Sequence, residues 1–376
     1  MHGLLQDWPL LVPRIIDHAA DWHGEREIVT RTVEGELHRY TYAELHRRTR
    51  RLAAALERLG LKAGDRVGTL AWNGYRHLEA YFATAGTGMV LHTINPRLFA
   101  DQIAYIVNHA DDRVILADLA TLPVLEGIAD RIPGVEAVVL MTDRKHMPPT
   151  RLAVPVHCYE DLLAAEDDGF RWRSVDERDA LALCYTSGTT GNPKGVLYSH
   201  RSTLLHAMVI NGADAMGLTS ADTVLAVVPM FHANAWCLPY TAPMAGAKLV
   251  LPGTKLDGAS IHDLLETEGV TYTAAVPTVW LMLLQHLEKT GGRLSTLKRV
   301  TIGGSAVPRS MIETFEDRYG VEVFQGWGMT EMSPLGTLGT IKPEYADLEG
   351  DALLDVKEKQ GYAPFGVEMK VTDDEN

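Results

Sequence analysis

The chain has 376 residues, with 35 Lys and Arg against 49 Asp and Glu, so its formal net charge is −14. The chain is longer than a domain with one ordinary hydrophobic core. Hydrophobic residues make up 46% of the chain and charged residues 22%, a composition that excludes a disordered protein and a small disulfide scaffold. The acidic balance argues against a nucleic-acid or anionic-membrane partner, because such partners require a basic surface.

The N-terminal segment and the cysteines indicate a cytoplasmic protein. The segment lacks the basic region and continuous apolar stretch of a secretory signal. No apolar run approaches the roughly 20 residues that cross a bilayer, so we expect no membrane span. Cys158, Cys184 and Cys237 are odd in number and far apart, which fits a reducing compartment and offers no metal-binding spacing.

A capping box opens a helix in the first part of the chain. Thr41 and Glu44 have the spacing in which each side chain bonds the other's backbone, and the predicted helix ends at Gly60. Leucines lie on one side of this helix and arginines largely on the other. We interpret that arginine cluster as a solvated face. It consists of Arg47, Arg48, Arg50 and Arg51.

Strand and helix patterns then alternate along the chain. The strands RVGTLAW, MVLHTI, RVILAD and AVVLM are separated by helices that include Tyr75–Thr87 and Ala100–His109. A second alternating stretch has the strands LALCYT, GVLYS, VLAVVP, KLVLP, YTAAV, RVTIG and EVFQ. Short apolar strands between amphipathic helices predict an α/β fold with sheets covered on both faces.

The segment YTSGTTGNPKGV, residues 185–196, is the most informative in the chain. Its small residues let backbone N–H groups approach an anion, its hydroxyls add donors, and Lys194 adds a positive charge. These are the groups needed to wrap a triphosphate. The spacing differs from GxxxxGK[ST], because Lys194 lies between Pro193 and Gly195 and no helix follows it directly.

TSGTTGNPKG resembles the phosphate loop of the acyl-adenylate-forming superfamily, which includes acyl-CoA synthetases, firefly-type luciferases and peptide-synthetase adenylation domains. Two further segments support the resemblance: QGWGMTE at Gln325–Glu331 and GGSA at Gly303–Ala306. The resemblance extends over essentially the whole chain. It is strongest to bacterial fatty-acyl-CoA ligases, through VVPMFHANAWCLPY and AAVPTVWLMLL.

The resemblance implies the large N-terminal domain of such an enzyme, with two mixed β-sheets and helices in αβαβα layers. Residues 1–175 would form an N-terminal arm and a first βα subdomain, and 176–340 a second βα subdomain with the ATP and acyl site. Residues 341–376 would begin a small β-barrel. We find no ribose-binding Asp motif, hinge or C-terminal catalytic lysine, so we expect the C-terminal domain to be absent from this chain.

The nucleotide-binding residues follow from the same motifs. Trp327 lies between two glycines and can lay its ring against adenine, although a core tryptophan at a strand end is the alternative. Thr330 and Glu331 supply a hydroxyl and a hard carboxylate, which suit Mg²⁺. By resemblance the nucleotide-binding set is Thr186, Ser187, Gly188, Thr189, Thr190, Gly191, Lys194, Gly304, Ser305, Ala306, Gln325, Gly326, Trp327, Gly328, Met329 and Thr330.

The resemblance also implies the catalytic and substrate residues. His232 in MFHANAW would lie beside the reacting carboxylate, although a hydrogen-bonded core histidine is the alternative. Trp236 would separate the ATP site from an acyl tunnel. The catalytic residues are then Lys194, His232, Thr186 and Glu331, with Mg²⁺ on Thr186 and Glu331. The substrate residues are His232, Trp236, Gly304 and Met329.

The implied activity is ATP-dependent carboxylic acid–CoA ligation through an acyl-adenylate, with ATP or AMP, Mg²⁺ and coenzyme A bound. The acid would be a fatty acid or a short methylthio acid such as 3-methylmercaptopropionate. The alternatives are an adenylation domain that loads a carrier protein and a non-catalytic nucleotide-binding module. The resemblance further implies a homodimer.

Overall fold

The computed structural model describes residues 3, 5–186 and 192–373. Its strands are β1 (Glu27–Arg31), β2 (Leu37–Thr41), β3 (Arg66–Leu70), β4 (Val90–Thr93), β5 (Asp112–Ala117), β6 (Ala137–Leu140), β7 (Val156–Cys158), β8 (Ala180–Thr186), β9 (Lys194–Ser199), β10 (Thr223–Ala226), β11 (Lys248–Leu251), β12 (Tyr272–Ala275), β13 (Arg299–Gly303), β14 (Glu322–Gly328) and β15 (Leu335–Leu338).

The helices alternate with these strands over most of the chain. They are α1 (Pro13–His23), α2 (Tyr42–Arg58), α3 (Tyr75–Thr87), α4 (Ala100–Ala110), α5 (Leu122–Ile128), α6 (Tyr159–Ala164), α7 (His200–Ile210), α8 (Ala233–Trp236), α9 (Leu238–Ala245), α10 (Gly258–Thr267), α11 (Pro277–Thr290), α12 (Arg309–Glu313) and α13 (Gly350–Lys357). No helix among the described residues is both long and apolar enough to cross a membrane.

The strands form two mixed sheets. One has eight strands in the order β15-β14-β13-β12-β10-β11-β1-β2, and the other has seven in the order β7-β6-β5-β3-β4-β8-β9. Neighbouring strands run parallel except in the pairs β1–β2, β14–β15 and β8–β9. The inner strands β4, β6, β10 and β12 are buried throughout, as apolar strands of covered parallel sheets should be.

Helix α3 marks the central layer between the two sheets. Every residue of α3 except Arg76 is buried, and the helix contacts β1 of the eight-stranded sheet and β4 of the seven-stranded sheet. Helices α10 and α11 cover the outer face of the eight-stranded sheet, where Leu264 and Trp280 join the core. Helices α4 and α5 cover the outer face of the other sheet. The predicted αβαβα layering is confirmed.

Each of the two sheets takes strands from both predicted segments, residues 1–175 and 176–340. Strands β1 and β2 come from the first segment yet belong to the eight-stranded sheet, while β8 and β9 come from the second segment and complete the seven-stranded sheet. The described residues from 341 to 373 contain helix α13 and a single bridge between Leu338 and Tyr362, but no strand. The start of a small β-barrel at residues 341–376 stays a prediction.

The capping box of α2 is present, but the arginine face is not solvated as predicted. The Thr41 hydroxyl accepts from the Glu44 N–H at 3.3 Å, and the Thr41 N–H donates to the Glu44 carboxylate at 2.9 Å. Arg47 is exposed. Arg48 instead donates to the fully buried Glu79 at 2.7 Å, because α3 brings an acidic partner that is distant in sequence.

Candidate functional site

A cavity of about 480 Å³ lies at the carboxyl ends of β10, β12, β13 and β14. This edge is where open α/β sheets bind their ligands. The wall is built from some of the residues in four segments, 227–236, 275–282, 301–304 and 326–335, together with Arg97, Met216 and Leu256. Residues that are far apart in the sequence therefore lie together in the cavity wall. The predicted site residues in the wall are His232, Trp236, Gly304, Gly326, Trp327, Gly328, Met329 and Thr330.

A left-handed turn shapes the side of the cavity after β10. The backbone φ angles are positive at five consecutive residues, from 44° at Ala233 to 71° at Cys237, and none of the five is glycine. Such a conformation costs about 1–2 kcal/mol per residue. The side-chain oxygen of Asn234, Oδ1, accepts from the Tyr81 hydroxyl at 3.4 Å and from the Cys184 thiol at 3.5 Å. Buried partners therefore hold the turn in place.

The turn places Trp236 against the end of β13. A Cβ built on Gly303 would lie 3.2 Å from Cη2 of Trp236, and one on Gly304 would lie 3.9 Å from its Cζ2. Gly304 also has a φ of +83°, a conformation that favours glycine. The two glycines thus admit the indole ring into the cavity wall.

His232 directly precedes this turn. Its side chain is accessible through the cavity while protein surrounds it, and this loss of solvation lowers the pKa of His232. A histidine with a lowered pKa is neutral near pH 7 and can donate one hydrogen bond to a carboxylate. The alternative, a hydrogen-bonded core histidine, does not describe it: its exposed side chain forms part of the cavity wall.

Trp327 lies at the end of β14 with its ring against β15. A Cβ on Gly336 would come within 2.5 Å of Cζ3 of Trp327, so glycine is needed there for the ring to lie close to the strand. Trp327 keeps 38% of its surface exposed and lines the cavity. An indole in this position offers a flat apolar surface to a planar ligand.

The described ends of the predicted phosphate segment belong to the paired strands β8 and β9. Thr186 ends β8, Lys194 begins β9, and the two are paired in register. The Thr186 hydroxyl donates to the Lys194 carbonyl at 3.5 Å. Lys194 is exposed and makes no ion pair within the described part of the chain. The predicted residues between them, Ser187, Gly188, Thr189, Thr190 and Gly191, lie outside the described residues.

Thr330 and Glu331 begin a short 3₁₀ turn after β14. Thr330 is buried and Glu331 is exposed, without an ion pair to any described residue. No group of three or more His, Cys, Asp or Glu side chains among the described residues could hold a metal. One carboxylate and the Thr186 hydroxyl nevertheless suit Mg²⁺, which binds through few protein oxygens when phosphates supply the others.

The structure does not bring every predicted residue to the cavity. Gln325 is buried and bonds elsewhere: its carbonyl oxygen accepts from the Val307 N–H at 3.2 Å, and its amide donates to the Glu358 carbonyl at 2.9 Å. Ser305 and Ala306 are exposed after β13 without lining the cavity. Thr186, Lys194 and Glu331 also lie outside its wall.

Sequence reasoning missed Arg97, which among the described residues is the only Lys, Arg, Asp or Glu in the cavity wall. Its guanidinium lies 5.0 Å from the ring centre of Trp72 and 5.9 Å from that of Phe231. These contacts hold a cation at an otherwise largely apolar surface. No local pattern marked Arg97, because it follows β4 in the other sheet and reaches the cavity only through the packing of the two sheets.

The chain is similar in sequence to known proteins along its length. The AMP-binding enzyme family matches residues 16–376. A medium-chain-fatty-acid–CoA ligase of Ectopseudomonas oleovorans is 49% identical over 100% of this chain and 68% of its own length. A 3-methylmercaptopropionyl-CoA ligase of Ruegeria lacuscaerulensis is 47% identical over 100% of this chain and 69% of its own length.

A solved structure gives the same fold. The anthranilate CoA ligase AuaEII, crystallised in complex with anthranoyl-AMP, superposes with a TM-score of 0.85 over 98% of this chain and 68% of that chain, at 22% identity. At this identity the likeness supports the two-sheet architecture and nothing finer.

Proposed function

This chain belongs to the AMP-binding enzyme family, and from that premise we propose that it ligates a carboxylic acid to coenzyme A at the expense of ATP. The observation that carries the proposal is the cavity into which His232, Trp236, Gly304 and Trp327 converge from separate stretches of the chain. The CoA ligases that are 47% and 49% identical to the chain support the reaction type.

In the first half-reaction, a substrate carboxylate oxygen attacks the α-phosphorus of ATP, and the bond to pyrophosphate breaks. The carboxylate is already ionised near pH 7, so no side-chain nucleophile is required. The enzyme contributes positioning and stabilisation of negative charge. Lys194 supplies a positive charge after the phosphate segment, and Trp327 supplies a surface for adenine.

Thr186 and Glu331 would hold Mg²⁺, which neutralises part of the charge on the ATP phosphates when bound. The neutral His232 would donate a hydrogen bond to the substrate carboxylate and orient it toward the nucleotide. In this mechanism Thr186, Glu331 and His232 form no covalent bond to the substrate.

In the second half-reaction, the thiol of coenzyme A loses its proton to water, and the thiolate attacks the acyl carbon of the adenylate. The C–S bond forms and AMP leaves with the electrons of the broken C–O bond. Arg97 carries a positive charge at the cavity wall, where it can meet an anionic part of a substrate. The apolar side chains of Trp236 and Met282 line the cavity and would limit the access of water to the acyl-adenylate.

For the acid, we propose a fatty acid of medium length or a short methylthio acid. Leu256, Val279 and Met282 line the cavity with apolar groups. The part of the wall that the structure describes contains no carboxylate to meet a substrate ammonium group. The relatives at 49% and 47% identity are a medium-chain-fatty-acid–CoA ligase and a 3-methylmercaptopropionyl-CoA ligase. The two identities are so similar that they favour the medium-chain fatty acid and the methylthio acid about equally.

The test is a pyrophosphate-release assay of the chain with ATP, Mg²⁺ and acids from propionate to dodecanoate, including 3-methylmercaptopropionate. We expect slow release with at least one of these acids and incomplete CoA transfer when CoA is present, because the C-terminal catalytic lysine is expected to be absent from this chain. Acyl transfer to a carrier protein but not to CoA would favour a carrier-loading adenylation domain. ATP binding without pyrophosphate release for any acid would favour a non-catalytic nucleotide-binding module.

We also propose that the protein is a cytoplasmic homodimer. The three cysteines are free and buried, which suits a reducing compartment. Light scattering coupled to size-exclusion chromatography tests the dimer, since a mass of one 41.4 kDa chain would contradict it. Fractionation of the source cells tests the location.

A further inference from the structure

The two halves of the proposed phosphate and metal site come from different sheets. Lys194 begins β9 at the edge of the seven-stranded sheet, whereas Glu331 follows β14 of the eight-stranded sheet. Their relative position therefore depends on contacts between β9–α7 and the segment 330–335. The described residues show two hydrogen bonds between these elements.

The first bond comes from Tyr198 on β9. Its hydroxyl is buried and donates to the backbone carbonyl of Thr330 at 2.5 Å. Tyr198 follows Lys194 by four residues, so both side chains lie on one face of the strand, about 13 Å apart. This bond therefore joins the residue before Glu331 to the strand that begins with Lys194.

The second bond comes from His206 on α7. The Leu335 N–H donates to Nε2 of His206 at 3.1 Å. Between the two bonds, the Met329 N–H donates to the Pro334 carbonyl at 2.9 Å and closes the segment into a compact loop. Glu331 thus lies in a loop that is held at both ends.

Glu331 makes no ion pair with any described residue, so its carboxylate position follows from the position of its backbone. We propose that Tyr198 and His206 are positioning residues that hold the Glu331 loop in register with the Lys194 strand, and thereby assemble the Mg²⁺–ATP site. This inference rests on the proposed function. It adds two residues that touch neither substrate nor metal.

The protonation states suit this arrangement. An imidazole nitrogen that accepts from an N–H must be unprotonated, and burial lowers the pKa of His206 to about 4. Burial first, and then nearby groups that include Glu331, raise the pKa of Tyr198, so its hydroxyl keeps the proton that it donates. Both bonds therefore persist at neutral pH.

The experiment measures ATP affinity calorimetrically, with Mg²⁺ and with EDTA, for the full chain and for Tyr198→Phe. We expect the gain in affinity from Mg²⁺ to fall roughly tenfold, the value of one buried hydrogen bond, while affinity in EDTA is unchanged. Tyr42→Phe is the matched control, because Tyr42 donates a similar bond of 2.6 Å to the Ala247 carbonyl. That control should keep the full Mg²⁺ effect.

A histidine pair and a double mutant sharpen the test. His206→Gln keeps an acceptor and should retain the Mg²⁺ effect, whereas His206→Leu should lose it. If Tyr198 acts through Glu331, Tyr198→Phe combined with Glu331→Gln should be no worse than Glu331→Gln alone.

An unchanged Mg²⁺ effect in Tyr198→Phe, or an equal loss in Tyr42→Phe, would overturn the positioning role while leaving the proposed function intact. A wild-type chain that binds no ATP with Mg²⁺ would overturn both proposals.

Discussion

Lys194 carries the positive charge that follows the glycine-rich segment 186–191. We predict that Lys194→Ala weakens ATP binding about 10- to 100-fold, because a hydrogen bond to a charged group contributes about 1.5–3 kcal/mol. Calorimetric titration with ATP measures the effect. Lys289→Ala, at an exposed site on α11, is the control and should leave affinity unchanged. Equal affinities for both variants would remove Lys194 from the site.

Gly304 combines a positive φ with a crowded position, so its replacement has two separable effects. A Cβ there would lie 3.0 Å from Cγ1 of Val276, at a φ of +83°. We predict that Gly304→Ala lowers the free energy of unfolding by about 1–2 kcal/mol and raises the KM for the acid. Gly291→Ala is the control: Gly291 also has a positive φ, of +68°, but a Cβ built on it would meet no atom within 4 Å.

Chemical denaturation and acid-dependent kinetics separate the two effects. Both glycine variants should lose similar stability, but only Gly304→Ala should change the KM for the acid. A similar KM change in Gly291→Ala would show that the effect comes from backbone strain and not from the cavity wall.

Helices α2 and α3 are connected by the ion pair between Arg48 on α2 and the buried carboxylate of Glu79 on α3. Burial raises the pKa of Glu79, and Arg48 and Tyr159 donate to its carboxylate at 2.7 and 2.6 Å. We predict that Arg48→Met destabilises the fold by about 3 kcal/mol, because it leaves a buried acid without its cation. Denaturant unfolding measures this loss.

Arg47→Met is the matched control on the same helix. Arg47 is exposed, so its loss should change the free energy of unfolding by less than about 0.5 kcal/mol. Equal effects from the two arginines would contradict the role of the buried network between α2 and α3.

The stability of the whole molecule should depend on histidine protonation. Burial lowers the pKa of His77 from 6.5 to about 4, and the same holds for His200 and His206. At pH values between about 4 and 6.5, these histidines are protonated in the unfolded chain but not in the folded chain. The contribution of each histidine is therefore complete above its unfolded pKa and is lost as pH falls toward 4.

His77→Gln isolates one of these contributions from groups of opposite sign such as Asp118, whose pKa burial raises from 3.8 to about 7. The stability of wild type relative to His77→Gln should fall by up to about 1.4 kcal/mol per pH unit between pH 6.5 and 4. Unfolding curves across this range measure the difference. His18 is exposed, so His18→Gln is the control. If the stability of wild type relative to His18→Gln fell equally with pH, the effect at His77 could not be assigned to burial.

Local patterns were sufficient where one stretch of sequence carries the whole signal. The helix Tyr75–Thr87 has the predicted limits, and the Thr41–Glu44 capping box forms as predicted. By contrast, no local rule predicts a left-handed turn at Ala233–Cys237, which contains no glycine. Its conformation depends on Tyr81 and Cys184, which are remote in sequence.

The sequence by itself determined the α/β class and the phosphate motif, because these depend on neighbouring residues and on the period of strands and helices. It also indicated part of the cavity wall, through residues that follow β10, β13 and β14. Only the tertiary structure decided that β1 and β2 join the later strands, that Arg48 pairs with Glu79, and that Arg97 reaches the cavity. These features arise from contacts between residues far apart in the chain, and such contacts form only when the two sheets pack together.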